Sequence, residues 1–399
     1  MKTKIKKTIS IILSIITVST IVFGNNIFAY ASLGNYHYTT DDGLSIYTEQ
    51  IVPNGSVTNS SGDTYTATSM GGISVSASGN KLYVVKGGSL NDQIAVLYYY
   101  SDYTNASTRK TIKFRQKLLG HANAMAIDDK FIYVTRWCSN GTNGSKVLRI
   151  SRKAINELSN NSQINNTNAK TSNGTTVCFD VPVYTKSDKS QTYTGKITAI
   201  TGYEYNSNDR ITKFIIDYPS ANTSTAKGYI IANLNSGCMY VYNQPNKIIR
   251  VKNPYGSSFN GYNIPHYQDI TYWSRYGLFI PVYYNKKDAN GNNVSSKSNV
   301  ILIYNLNNPN NDSNGELNPN HSIEINREKD ENNRILAQYE IESISFTNVD
   351  STSATHKMLL STNRRTQANN TGCIDAIEMS SNFDSYMNSI WIINKKRGV

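Results

Sequence analysis

Polar and charged residues recur at matched places of a repeated pattern, and their chemistry suits the binding of a polar ligand. Histidine, glutamate, lysine and amide side chains stand where the first strand of several repeats begins, and arginine and tryptophan follow at the ends of second strands. A few convergent polar groups beside an aromatic ring are typical of a sugar or anion site. The candidate ligand-binding residues are His121, Asn123, Arg136, Trp137, Lys196, His266, Gln268, Asp269, Glu340, Glu342 and Arg364.

The same residues also allow two kinds of catalysis. Glycoside hydrolysis needs two carboxylates that flank the scissile bond, and Asp269, Glu340 and Glu342 are candidates. Imidazole with carboxylate and amide oxygens can hold a divalent metal, for structure or for lyase-type chemistry. The candidate metal ligands are His121, His266, Gln268 and Glu342. The sequence leaves open whether the protein is an enzyme, and it identifies neither a catalytic residue nor a cofactor beyond this possible metal.

The elements that must position these residues are short strands in a repeated unit. Each unit passes from a polar segment through small and apolar residues to a tight turn and a strongly apolar strand. Third and fourth strands follow in most units, and the fourth is more polar. The apolar residues that mark the same place in the units are Ile73, Met125, Ile200, Ile270 and Ile344. Such a unit is typical of a propeller blade, which buries both faces only in a ring. We predict an all-β fold, a β-propeller of five four-stranded blades, with a β-sandwich as the alternative.

The segment before the first unit is expected to close the ring. Residues Asp63 to Thr68 read as an outer strand that completes the last blade, so the ring would be closed by an N-terminal strand. The best helix candidate is short and lies around Lys153 to Leu158. The Asn-, Ser- and Gly-rich stretches between strands indicate surface loops rather than linkers. Residues 32–399 are therefore expected to form a single domain.

The first 31 residues predict a cleaved signal peptide. A basic start with four Lys precedes an apolar run from Ile9 to Phe23 and the small-x-small sequence Ala29-Tyr30-Ala31. We expect a secreted, extracellular bacterial protein with no membrane span after cleavage. Removing these residues, which carry four Lys and no acidic residue, lowers the formal net charge from +12 to +8. This mild charge favours weak attraction to an anionic envelope polymer.

The basic residues are scattered rather than clustered, so no nucleic-acid partner is expected, and we expect a monomer. The four cysteines form no CxxC motif, which argues against a zinc ribbon or a redox motif. Up to two disulfides or buried free thiols both fit an exported chain of this size.

One strand opening resembles a known motif. The run from Gly120 to Met125, Gly-His-Ala-Asn-Ala-Met, resembles the Gly-His-Ala-Asn-type strand opening of secreted β-propeller proteins of bacteria and their phages. The run from Pro265 to Ile270 is similar to a degenerate second copy, with Asp269 where the first has Ala124. The resemblance implies a propeller whose mouth, the end of the ring where the first strands begin, is important. It implies no reaction.

The function expected from these features is binding of a polar extracellular or cell-envelope ligand, a glycan, at the mouth. The alternative is a glycoside hydrolase or a metal-dependent lyase-type enzyme that acts on a polysaccharide. Five-bladed hydrolases carry acidic motifs in their first blades. This chain has Ser69, Gly71, His121 and Asn123 there, which argues against hydrolysis. Ligand identity and disulfide pairing do not follow from the sequence.

Overall fold

The computed structural model describes residues 37–39, 44–58, 62–77, 79–88, 94–136, 146–242, 245–252, 266–287, 293–325, 336–348, 356–366 and 370–379. The predicted signal peptide, Trp137, Cys138 and the side chain of His266 lie outside the described residues. The described chain is built almost entirely from antiparallel strands, which form five sheets. The all-β prediction is confirmed.

The elements run in chain order through the five sheets, which are the blades of a propeller. The N-terminal segment and blade 1 contain β1 (His37–Thr39), β2 (Ser45–Val52), β3 (Gly55–Thr58), β4 (Thr64–Val75), β5 (Leu82–Gly88), β6 (Ile94–Tyr100) and β7 (Arg109–Arg115). Blade 2 and its connections contain α1 (Gln116–Leu119), β8 (Met125–Ile127), β9 (Phe131–Thr135), β10 (Val147–Ser151), α2 (Arg152–Glu157) and β12 (Cys178–Val181). The strand between α2 and β12, β11 (Ser162–Ile164), pairs in parallel with β7 as the outermost strand of the blade 1 sheet. Short 3-10 turns lie at Ala106–Thr108, Pro219–Ala221 and Pro245–Lys247.

The remaining blades follow the same plan. Blade 3 contains β13 (Val183–Tyr184), β14 (Ile200–Tyr205), β15 (Ile211–Asp217), β16 (Ala226–Asn235), β17 (Cys238–Tyr240) and β18 (Ile248–Lys252). Blade 4 contains β19 (His266–Tyr267), β20 (Thr271–Trp273), β21 (Gly277–Lys287), β22 (Asn293–Tyr304) and β23 (His321–Ile325). Blade 5 contains β24 (Leu336–Phe346), β25 (His356–Thr366) and β26 (Asn370–Met379). The predicted helix near residue 153 is confirmed as α2.

The inner strands are β4, β8, β14, the β19–β20 pair and β24, and each pairs with the next strand outward in its blade. Middle strands are buried on both faces, as all seven residues of β6 show, because a blade packs between two neighbours. The outer strand β7 alternates between buried and partly exposed residues, as expected of a strand with one solvated face. Burial therefore falls from the middle of a blade to its outer edge.

Five hydrophobic clusters fill the five spaces between neighbouring blades. Each cluster mixes side chains from two blades, so the ring is closed by packing on all sides. Pairs that belong to one cluster and to neighbouring blades are Leu97 and Leu148, Tyr133 and Phe214, Ile215 and Ile280, Phe279 and Ile344, and Ile73 and Leu359. The five-bladed propeller is thereby confirmed, and the β-sandwich alternative is wrong.

The N-terminal strand closes the ring, but it is β2 rather than residues 63–68. β2 pairs antiparallel with β26, the last strand of blade 5, and Ile46 of β2 is fully buried between blades 4 and 5. Residues Thr64 to Thr68 belong instead to the long inner strand β4, whose first half pairs with β3. The predicted position of the closing strand, residues 63–68, was wrong because this half of β4 has the polar alternation of an outer strand.

Three cysteines, Cys178, Cys238 and Cys373, are buried free thiols. Among the described residues no helix is long and apolar enough to cross a membrane.

Candidate functional site at the mouth

The inner strands begin at the mouth and the second strands end there, so residues from both rows meet at one end of the ring. Register places His266 opposite Tyr283 and Glu340 opposite Asn363. His121 precedes β8 at the same end. That the openings of all five inner strands form one site around the axis stays a prediction.

The two glutamates of blade 5 are held by amide side chains. The Gln268 amide nitrogen donates to Glu340 at 2.8 Å, from blade 4 to blade 5. The Asn363 amide nitrogen donates to Glu342 at 2.6 Å, and its oxygen accepts from the backbone N–H of Met70 at 2.8 Å. These bonds tie blades 4, 5 and 1 together at the mouth and leave Gln268 and Glu342 partly exposed.

Tyr283 faces the same two carboxylates. Its burial, with the negative charges of Glu340 and Glu342, raises the pKa of the phenol above its ordinary value. The hydroxyl therefore remains protonated at neutral pH and can act as a hydrogen-bond donor. This part of the mouth combines a phenol, two amides and two carboxylates, an arrangement that can both donate to and accept from a hydroxyl-rich ligand.

Blade 2 contributes His121 and Asn123, both partly exposed, and blade 3 contributes the exposed Lys196. His121 lies against Gly87, where its Nδ1 would be 3.8 Å from an added Cβ, an ordinary van der Waals contact. Burial lowers the pKa of His121, which keeps the ring neutral at physiological pH. A role that needs an imidazolium at this position would require acidic conditions.

The two arginines already have carboxylate partners within their own blades. Arg136 is buried and forms an ion pair with Asp180. Arg364 is buried and pairs with Asp375, which also accepts from the Tyr339 hydroxyl at 2.8 Å. Both positive charges are balanced locally, so neither arginine adds net positive charge to the mouth.

Asp269 occupies a different position from its neighbours in the set. It is fully buried on the axis of the ring, where its carboxylate accepts from the Ile270 N–H at 2.7 Å and from the Ser343 hydroxyl at 2.5 Å. The backbone N–H groups of Met125 and Ile200 also face it. Burial raises its pKa, and these hydrogen bonds oppose that shift.

The Ser343 hydroxyl extends this network to the first blade, because it accepts from the Ile73 N–H at 3.1 Å. All five blades therefore converge on Asp269 and Ser343, and we call these two residues and the backbone N–H groups of Ile73, Met125, Ile200 and Ile270 the hub. The hub lies below the mouth, so Asp269 connects the blades of the propeller to one another.

No group of three His, Cys, Asp or Glu side chains within the described part of the chain is placed to hold a metal ion. The side chain of His266, one of the four candidate ligands, lies outside that part, as does Trp137. A metal site that uses His266 stays a prediction.

Lys86 is a buried cation that reasoning from strand openings missed. It is fully buried, and its ammonium donates to the Val52 carbonyl and the Asn54 side chain, both at 2.8 Å. Val52 is the last residue of the closing strand β2 and Asn54 follows it, so Lys86 fastens that strand to blade 1. A charged residue before Gly87-Gly88, at the end of an apolar strand, was the available signal.

Comparisons with known proteins find similar folds among solved structures. No protein-family model matches the chain, and no curated protein matches it. Among solved structures, a chain described as "Tail fiber of Staphylococcus aureus phage P68" is 11% identical with a TM-score of 0.48, over 94% of this chain and 59% of that chain. This chain thus spans less than two thirds of the length of that tail fiber.

Two further likenesses are weaker. A chain of the S. cerevisiae complex of dbp5 with nup159 and gle1 is 10% identical with a TM-score of 0.27, over 86% of this chain and 97% of that chain. The N-terminal domain of Nup159 is 8% identical with a TM-score of 0.23, over 86% and 98%. Since these scores lie below 0.5, the proposals below depend on the geometry of this chain alone.

Proposed function

We propose that this chain is a secreted, non-catalytic binding protein that recognises a hydroxyl-rich glycan of the cell envelope or its surroundings at the mouth. The observation that carries the proposal is the amide–carboxylate network of Gln268, Glu340, Asn363 and Glu342 on the axis. Sugar hydroxyls both donate and accept, and such a network offers both functions in fixed positions. Export rests on the predicted signal peptide.

The charges at the mouth favour a neutral glycan over a strongly anionic one. Glu340 and Glu342 are close enough to raise the pKa of Tyr283, whereas Arg136 and Arg364 are paired with aspartates. An anionic polymer would meet these carboxylates without a compensating arginine. The exposed Lys196 and the overall positive charge support only weak, salt-dependent attraction.

The test is a glycan array on residues 32–399, followed by calorimetric titration of the strongest binder. Gln268→Ala should weaken binding roughly tenfold, because the variant loses an amide and releases a buried glutamate. Gln163→Ala is the matched control, since Gln163 is exposed on the outer strand β11. An array without binders, or equal affinity of both variants, would reject a glycan site at the mouth.

The enzymatic alternative is tested on the same sample. Asp269 is engaged in the hub, so the carboxylates left for hydrolysis are Glu340 and Glu342, each of which accepts from an amide. Incubation of the bound glycan with the protein, with and without added divalent metal, should release no new reducing ends and no unsaturated sugars. If reducing ends or unsaturated sugars are released, and Glu340→Gln abolishes their release, the protein is an enzyme instead.

A further inference from the structure

A second cavity lies at the other end of the axis, where the inner strands finish. It measures about 460 Å³, within the range of small-molecule sites, and residues from all five blades line it. We call this cavity the funnel. The hub separates it from the mouth, because Gln268 lies at the mouth, Asp269 in the hub and Thr271 to Ser274 in the funnel wall.

Aromatic rings form much of the funnel wall. Tyr203 and Tyr272, from neighbouring blades, lie with ring centroids 5.0 Å apart and are partly exposed. Trp273 packs behind them on Phe346 with centroids 5.0 Å apart, so this side of the wall is rigid. Tyr205 is 51% exposed, and no other large hydrophobic side chain among the described residues is classed as exposed. An open ring above a fixed aromatic wall is suited to stacking on a flat ligand.

The absence of a side chain at Gly202 leaves space for the ring of Tyr205. A Cβ at position 202 would lie 2.2 Å from the Tyr205 hydroxyl and 2.8 Å from the ring carbon that bears it. The hydroxyl end of the ring therefore lies over the glycine backbone, while Tyr205 as a whole is 51% exposed. This contact makes it possible to move the ring without removing it.

The rim of the funnel carries acidic side chains in preorganised turns. The Asp129 N–H donates to the Asp209 carbonyl at 3.1 Å, which joins the turns of blades 2 and 3. Arg152 donates to the carbonyls of Asp128 and Asp129 at 2.8 Å each and fixes the first turn. The carboxylates of Asp129 and Asp209 are exposed, and neither has a hydrogen-bond partner among the described side chains.

Buried Asp128 completes this arrangement without adding free charge. Its carboxylate pairs with Arg210 at 2.9 Å and accepts from the Tyr133 hydroxyl at 3.1 Å. Arg152, which donates to backbone carbonyls, adds one positive charge to the lining, against the two negative charges of Asp129 and Asp209. The acidic groups open to a ligand are these two carboxylates. They attract an ammonium, accept from hydroxyls and repel anions.

We infer that the funnel is a second binding site, for a pyranose sugar without negative charge, with an amino sugar preferred over a neutral one. The apolar face of the sugar would stack on Tyr205, and its amino group would meet Asp129 and Asp209. This site is independent of the proposed function at the mouth, because the hub lies between the two.

The experiment titrates residues 32–399 with three β-1,4-linked disaccharides, of glucosamine, glucose and glucuronate, using calorimetry. We expect affinity to fall in that order. Tyr205→Ala should weaken glucosamine disaccharide binding roughly tenfold by removing the stacking ring. Gly202→Ala should weaken it less, because it displaces the same ring.

Two controls locate the effect. Tyr184→Ala, which replaces a partly exposed tyrosine on the outermost strand of blade 3, should leave binding unchanged. Gln268→Ala reports any separate sugar binding at the mouth. Melting curves show whether each variant is folded. If Tyr205→Ala does not fold, Gly202→Ala still tests the site, because it retains every side chain that lines the funnel.

Three results would overturn the inference: no binding of any disaccharide, wild-type affinity of both Tyr205→Ala and Gly202→Ala, or binding of choline without any sugar. Loss of binding in Gln268→Ala but not in Tyr205→Ala would place the sugar at the mouth and remove it from the funnel. If no glycan binds at the mouth, the comparison of Tyr205→Ala with the wild type still tests binding in the funnel.

Discussion

Replacing the hub carboxylate should destabilise the whole ring. Asp269→Ala removes the acceptor of two buried donors, the Ile270 N–H and the Ser343 hydroxyl. A buried donor without a partner costs about 1–3 kcal/mol, so we expect a loss of about 2–6 kcal/mol in the free energy of unfolding. Domains have about 5–15 kcal/mol in total, so the loss is a large part of the stability.

The assay is urea denaturation followed by far-UV circular dichroism. Asp269→Asn keeps the volume and one acceptor oxygen, so its midpoint should lie between those of the wild type and Asp269→Ala. Asp188→Ala, at an exposed turn, is the matched control and should denature like the wild type. If Asp269→Ala denatures at the wild-type urea concentration, the hub does not hold the blades together and the reasoning is refuted.

Three further perturbations test other parts of the ring. Ile46→Asp places a charge in the fully buried interface of the closing strand and should shift the urea midpoint more than Glu378→Ala on the exposed side of β26; equal shifts would contradict closure by β2. Arg364→Met leaves buried Asp375 without its ion-pair partner and should cost about 3–5 kcal/mol in urea denaturation; an unchanged midpoint would show that the pair is unimportant. Burial lowers the pKa of His321 to about 4, so the unfolded chain takes up a proton first as pH falls, and stability should decrease between about pH 6.5 and 4. His321→Phe should reduce this decrease by roughly 3 kcal/mol; parallel pH profiles would refute the assignment.

Most of the architecture could be predicted because strongly apolar strands recur with matched neighbours. The closing strand was assigned to the wrong segment for a physical reason. The closing strand β2 has a register irregularity between Thr48 and Gln50, which breaks the two-residue alternation that identifies a strand in sequence. The third strand of blade 3, β16, was also missed. It carries Gly228, which packs against Ala221 and weakens the strand pattern.

The candidate site could be predicted only in part. Alignment of the repeats assigns each residue a depth in the ring, since position along a strand sets depth along the axis. It could not show that Arg136 and Arg364 are already paired, because Asp375 lies on the neighbouring strand β26 and Asp180 on β12, two strands outward from β9. The funnel was not predicted, because the candidate residues were chosen where the inner strands begin, whereas Tyr203 and Tyr205 lie at the end of the inner strand β14.

The hub explains why the repeat is broken at one position. Asp269 aligns with small residues in the other four blades, and these are Gly72, Ala124, Ala199 and Ser343. A Cβ on Gly72 would already lie 2.7 Å from the Met125 side chain, so the axis has little spare room. A second carboxylate at this depth would face the first across the axis in a dry environment, where like charges repel strongly. Five identical blades therefore could not share one carboxylate, and one blade must differ. An acidic residue that departs from the repeat can thus close the axis rather than mark a ligand, which makes the two ends of the ring separate surfaces.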